Sequence, residues 1–169
     1  GKEPFPFDLL YWNSDSTRMP AAMHSFYLRQ MYQENKLAQP GGITLGGVPI
    51  DLRLNKTPTF ILSTREDHIA PWKSTYAATQ LYQGPVTFCL AASGHIAGVV
   101  NPPASQKYSH WVSGTKTLPK TPDEWLATAQ QAPGSWWPTW KQWLEQYAGG
   151  EVKARKPGSG KLKAIGIAA

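Results

Sequence analysis

Pro58-Thr59-Phe60-Ile61-Leu62-Ser63-Thr64, then Arg65-Glu66-Asp67-His68-Ile69-Ala70-Pro71-Trp72, then Val86-Thr87-Phe88-Cys89-Leu90-Ala91-Ala92-Ser93-Gly94-His95 decide the fold of this chain. The first run is apolar, rich in strand formers, and stops at four consecutive polar residues. Pro71 suits the first position of a helix, Lys73 to Gln83 is helix-permissive, and Gly84-Pro85 ends it. The second apolar run is cut off by Ser93-Gly94-His95. Two short buried-looking strands joined by one helix make a βαβ unit, so the strands are expected to be parallel neighbours. Residues just past the strand ends line the ligand crevice of such sheets. Asp67 and His95 both fall there, where an orienting carboxylate and a catalytic base belong.

Upstream, residues 1–20 read as extended and loop-like, punctuated by Pro4, Pro6 and Pro20. From Ala21 to Leu37, Met23, Phe26, Tyr27 and Met31 recur at helical spacing, an amphipathic helix with a core-facing stripe. Ile43-Thr44-Leu45 and Val48-Pro49-Ile50 flank Gly46-Gly47, a hairpin signal, with Pro49 at an edge. Downstream, a polar stretch runs to Lys120. Thr121-Pro122-Asp123-Glu124 is a capping box opening a helix that is expected to reach about Ala132. Trp136, Trp140, Trp143 and Tyr147 then fall four, three and four apart. That is a second amphipathic helix, packed on the body by its aromatics.

The chain has 169 residues, enough for one domain with a core, and a formal charge of +6. From Glu151 onward Lys153, Arg155, Lys156, Lys161 and Lys163 face one acid. Four of the six net charges therefore lie in the tail, and the preceding fold is nearly neutral. This argues against a nucleic-acid face. Residues 151–169 are expected to be mobile or held only by a partner. No apolar run is long enough to span a bilayer, and no signal-peptide pattern is visible. Cys89 is the only cysteine, which fits a reducing compartment. No Cys/His cluster has metal spacing. Pro157-Gly158-Ser159-Gly160-Lys161-Leu162 fails as a phosphate loop, since Arg155 and Leu162 break its pattern.

Asp67 and His95 fit two members of a nucleophile–His–acid triad, in which the histidine takes the nucleophile's proton and the acid holds the imidazole. They fit a hydrogen-bonded surface pair equally well. In α/β-hydrolase folds the order is nucleophile, acid, His, so a nucleophile is expected upstream. No Gly-x-Ser-x-Gly or Gly-x-Cys-x-Gly occurs in the chain. Cys89 lies mid-strand and reads as a buried apolar residue. His68 is assigned to shaping its loop, and His24 and His110 to structural or solvated positions.

Asp8 to Thr17, Arg65 to Trp72, and Ser93 to Pro103 closely resemble three motifs of the poly(3-hydroxyalkanoate) synthases, and Ser135-Trp136-Trp137-Pro138 fits them as well. The resemblance runs from about Phe7 to about Tyr147 and points to the class that polymerises short-chain (R)-3-hydroxyacyl-CoA. It implies the C-terminal portion of an α/β-hydrolase fold, parallel strands with flanking helices, whose upstream strands and elbow cysteine lie outside this chain. Residues 1–20 would end the cap region, 21–150 would complete the catalytic domain, and 151–169 would be a basic tail. Asp67 matches the catalytic aspartate and His95 the catalytic histidine. The implied activity is acyl transfer from a CoA thioester to a growing polyester, without a cofactor. The implied setting is cytoplasmic, at the polyester granule surface, as a homodimer, with no nucleic-acid partner and no integral membrane span. Alone, the chain is expected to be inactive for want of the nucleophile. An esterase, lipase or depolymerase with the same pair, or a non-catalytic granule-surface module, are the alternatives.

Overall fold

A computed structural model of the chain describes residues 8–113, 117–156, 158 and 160–161. Its centre is the expected βαβ unit. Strand β3 (Thr59–Thr64) and β4 (Val86–Ala91) pair in parallel, with Ile61 opposite Phe88 and Ser63 opposite Leu90. The connection holds α3 (Trp72–Tyr76) and a 3-10 turn over Ala77–Gln80, shorter than the helix expected to reach Gln83. Gly84 closes it because a Cβ there would lie 2.6 Å from the main chain of Lys56.

The sheet is mixed rather than all-parallel. It has the order β3-β4-β5-β6, and β5 (Ser109–Val112) and β6 (Gln130–Pro133) join antiparallel. β5 lies inside the polar stretch. β6 takes residues expected to end the capping-box helix, α4 (Pro122–Thr128), which stops four residues early. Gln130-Gln131 have helical propensity, but a strand at this edge satisfies their backbone against Trp111 and Val112. The capping box itself forms. Thr121 Oγ1 accepts from the Glu124 N–H, and a Glu124 carboxylate oxygen accepts from the Thr121 N–H.

Side-chain alternation gives the sheet two covered faces. On one, Phe88 and Leu90 form the core with Trp72, Tyr76 and Trp125, and Ile61 and Trp111 pack against it. The rings of Phe88 and Trp125 meet edge to face with centroids 4.8 Å apart. On the other, α5 (Trp137–Glu145) lies across the sheet: Phe60 meets Trp136 at 6.3 Å and Trp143 at 5.5 Å. Half of the tryptophan stripe therefore packs on the body, while Trp140 and Tyr147 stay exposed. His110 joins the same face. It is buried, and its Nδ1 reaches the Gly134 carbonyl at 3.2 Å, so Nδ1 carries a proton. Its Nε2 contacts Thr139 Oγ1 at 2.8 Å. His110 is structural.

The N-terminal segment departs more from expectation. Residues 8–14 form a helix, α1 (Asp8–Ser14), where a loop was expected. Leu9 to Asn13 contain neither proline nor a β-branched residue, and the Ser14 hydroxyl donates back to the Leu10 carbonyl. α2 (Ala21–Phe26) continues as a π-helical stretch over Tyr27–Gln33, then a left-handed Asn35 (φ 47°) and a 3-10 turn at Lys36–Ala38. Its apolar stripe is not covered as expected: Met23 is 59% exposed, and Phe26 and Tyr27 are exposed too. The hairpin forms as read. β1 (Thr44–Leu45) pairs antiparallel with β2 (Val48–Pro49) through Gly46 (φ 56°) and Gly47 (φ 81°), the backbone that a two-residue turn requires. The described part of the basic tail, residues 151–156, 158 and 160–161, has no helix or strand. The expectation for residues 157, 159 and 162–169 lies outside the described residues.

Candidate active site

The sheet brings Asp67 and His95 together. β3 extends past Thr64 by way of Arg65 N–H to the Ala91 carbonyl and Glu66 N–H to the Ser93 carbonyl. The acidic loop is thus stitched to the loop after β4. Asp67 then turns the chain toward α3. Its Oδ1 accepts from the N–H groups of Ile69 and Ala70, both at 2.9 Å. That is an Asx-type turn, and Pro71 follows it into the helix.

The other carboxylate oxygen, Oδ2, meets His95 Nδ1 at 2.8 Å, with Thr64 Oγ1 at 3.4 Å. The Asp67 side chain is 8% exposed, that of His95 46%. The Ala70 N–H bond pulls the Asp67 carboxyl down most. Burial opposes it, and His95 and the Ile69 N–H add to the lowering. The net result is about 2, against an ordinary 3.8. An ionised Asp67 can only accept, so His95 Nδ1 is the donor. Neutral His95 then carries its lone pair on Nε2, the arrangement that a general base needs.

The histidine loop is held by two backbone devices. Ser93 sits at φ 78°, left-handed for a residue with a Cβ, and swings the chain off β4. Gly98 presses on Thr64: a Cβ there would lie 2.5 Å from Thr64 Cγ2 and 2.7 Å from the Ala92 carbonyl oxygen. Between them, Gly98 N–H bonds to the Gly94 carbonyl, and the N–H groups of Val99 and Val100 to that of Ile96. The loop is a compact turn.

His95 borders two clefts. One, of about 220 Å³, lies over the end of β3 between Leu62, Ser63, Asp67 and Thr75. The other, of about 570 Å³, opens between Trp12 and Asn13 of α1 and Ile96, Val99 and Val100. Ser63 is buried with its hydroxyl unpartnered. His68 is exposed and takes no part in the Asp67 hydrogen bonds, and His24 is exposed on its helix. Cys89 is buried, and burial pushes its thiol up to about 12, so it is no thiolate at neutral pH. The structure thus pairs the two residues that the sequence singles out. Sequence reading missed Thr64, the two N–H donors and the Gly98 contact. Asp67 two and three residues ahead of its donors, just before Pro71, was the readable signal for the first turn. Among the described residues, no group of three or more His, Cys, Asp or Glu could hold a metal ion, and no helix is long and apolar enough to cross a membrane.

No protein-family model matches the chain. Curated relatives do. The poly(3-hydroxyalkanoate) polymerase subunit PhaC of Rhizobium meliloti is 52% identical over 166 residues, 98% of this chain. Its counterpart in Cupriavidus necator is 49% identical over 154 residues, 91% of the chain. Poly(3-hydroxyalkanoate) polymerase 1 of Ectopseudomonas oleovorans is 39% identical over 154 residues, also 91%. The chain spans about a quarter of the length of these relatives, 26%, 26% and 27% respectively.

Proposed function

Since this chain belongs to the poly(3-hydroxyalkanoate) polymerase family, we propose that it supplies the acid and base of a Cys–His–Asp centre in an enzyme that polymerises (R)-3-hydroxyacyl units from their CoA thioesters. In this reading the chain is the C-terminal part of the catalytic domain, an α/β-hydrolase core whose cap ends near residue 20, and the cysteine comes from residues upstream. Among the described residues β3 is an edge strand paired only with β4, and its other edge suits a further parallel strand from that upstream part.

His95 Nε2 takes the proton of the cysteine thiol, and the thiolate attacks the thioester carbonyl of the hydroxyacyl-CoA. The acyl group passes to the cysteine, and CoA leaves with the proton. In chain growth the same nitrogen takes the proton of a hydroxyacyl hydroxyl. The oxygen attacks the carbonyl of the enzyme-bound thioester, an ester bond forms, and the cysteine is released as its thiol. Asp67 holds Nδ1–H and offsets the imidazolium charge at each step. No cofactor enters this chemistry, since the thioester carries the activation. The setting is cytoplasmic, at the polyester granule surface, with the enzyme as a homodimer.

The observation that carries the reading is the 2.8 Å contact of His95 Nδ1 with the buried carboxylate of Asp67, on a histidine that borders two open clefts. In the intact polymerase, His95→Ala is expected to lower CoA release from (R)-3-hydroxybutyryl-CoA by about 10³-fold or more, the scale of a lost general base. Near-normal release from a folded variant overturns the assignment.

A further inference from the structure

We propose that the indole N–H groups of Trp136 and Trp137 form a clamp that positions His95 against Asp67. Both donate to one acceptor, the main-chain carbonyl of Val99, at 3.1 and 3.0 Å. Val99 belongs to the compact turn that carries His95, and it borders both clefts that His95 faces. A carbonyl oxygen has two lone pairs, and two donors fill them. The turn is therefore fixed from two directions at its far end.

The argument is mechanical. Bonds within residues 94–100 make the turn a rigid unit, but a rigid unit can still rock on the sheet. Its near end is tied by the Glu66–Ser93 bond, and Gly98 rests on Thr64. The clamp ties the other end to α5, which is itself seated by Trp136 and Trp143 on Phe60 and by Thr139 on His110. The path from sheet to His95 thus closes through two indoles. It matters because a hydrogen bond weakens steeply once stretched or bent from good geometry. Ring burial alone does not account for the pairing. Trp125 is more deeply buried, yet its Nε1 has no partner at all. The fold does not supply an acceptor to every buried indole, but it gives these two the same one.

The inference rests on His95 as the polymerase base, and the test separates the two. In the intact polymerase, W136F, W137F and the double variant keep aromatic rings and remove the donors. Two readouts are taken: the low-field proton NMR signal of His95 Nδ1–H, assigned by its loss in H95A, and the kcat and KM of CoA release. Each single variant is expected to lower kcat about fivefold, the factor of one neutral hydrogen bond. The double variant is expected to lower it roughly 30-fold with KM within about twofold, and to broaden or abolish the signal. A folded double variant with the signal and kcat unchanged overturns the clamp. Loss of the signal with normal CoA release keeps the clamp and overturns the base. A double variant that fails to fold, by its thermal midpoint, leaves W137F to decide: the Trp137 ring borders an open cleft at Pro103, and a sharp signal with unchanged kcat there also refutes the clamp.

Discussion

The unit from Thr59 to Ala91 and the helical segment from Ala21 to Gln33 are both rich in aromatic and aliphatic residues, yet only the first is buried. Phe88, Cys89 and Leu90 are enclosed from both faces by helices within this chain, whereas Met23, Phe26 and Tyr27 face outward. The difference is one of partners. A parallel strand pair recruits its cover from the helix that connects it and from the elements that follow. An amphipathic helix without a facing element shows its stripe to solvent, because its periodicity states that a face is apolar and not what will cover it. The candidate site sits on the first kind of ground. Asp67 and His95 follow the ends of two paired strands, β3 and β4, which are held by local topology and an enclosed core.

The sharpest way to break this picture is to alter the site without disturbing the core. In the intact polymerase, Asp67→Asn is expected to cost about 10³–10⁴-fold in kcat, because an amide donor facing Nδ1 selects the wrong tautomer. The fold should survive, with the thermal midpoint at pH 7 lowered, but by less than in a core variant. Normal turnover would move the acid's role to another group. The same carboxyl also gives a pH signature. It ionises near 2 in the fold and near 3.8 when free, so its stabilising contribution is complete above about pH 4 and vanishes as pH falls through 2. Denaturant midpoints of wild type and D67N should therefore converge as the pH is lowered from 5 to 2. Parallel curves would mean that the Ile69 and Ala70 donors do not favour the ionised carboxylate.

A core substitution tests the other half of the contrast. Phe88→Ala empties a site ringed by Tyr76 and Trp125, and about 3–5 kcal/mol of stability should be lost. Gly98→Ala comes next. Its Cβ would collide with Thr64 Cγ2 and with a backbone oxygen, only one of which can turn away. About 1–3 kcal/mol of stability is expected to go, as for overpacking elsewhere. Activity should fall with it, since relief of the clash moves the histidine turn off Thr64. Unchanged activity would uncouple the turn's seating from catalysis.

These outcomes bear on why some of the molecule could be read and some not. β3, β4 and the pairing of Asp67 with His95 were legible because each apolar run is short, bounded by breakers, and followed by polar residues. The capping box was legible because its four residues satisfy one another. β5 was not. Ser109-His110-Trp111-Val112 is a strand only because β4 lies on one side and β6 on the other. β6 lost to helix in the reading because Gln130-Gln131-Ala132 prefer helix locally, and tertiary pairing overrode that preference. In the site, the Asp67 turn could have been found from its position before Pro71. The Gly98 contact with Thr64 could not, since it spans 34 positions and depends on the relative height of two loops.

The smallest expected effect returns to the helical segment. Met23→Ser in this chain removes a side chain that is already 59% exposed, so the stability change should stay within about 0.5 kcal/mol. The same substitution in the intact polymerase asks a different question. If the upstream residues cover the stripe there, a buried methionine is replaced by a hydroxyl, and about 2 kcal/mol or more should be lost. We expect the larger loss. Met23, Phe26 and Tyr27 lie at three- and four-residue spacing, and such a stripe owes its stability to packing rather than to propensity. Equal, small changes in both proteins would show that the stripe is a free surface, and the contrast between the two regions would then belong to the family's whole fold and not to the length of this chain.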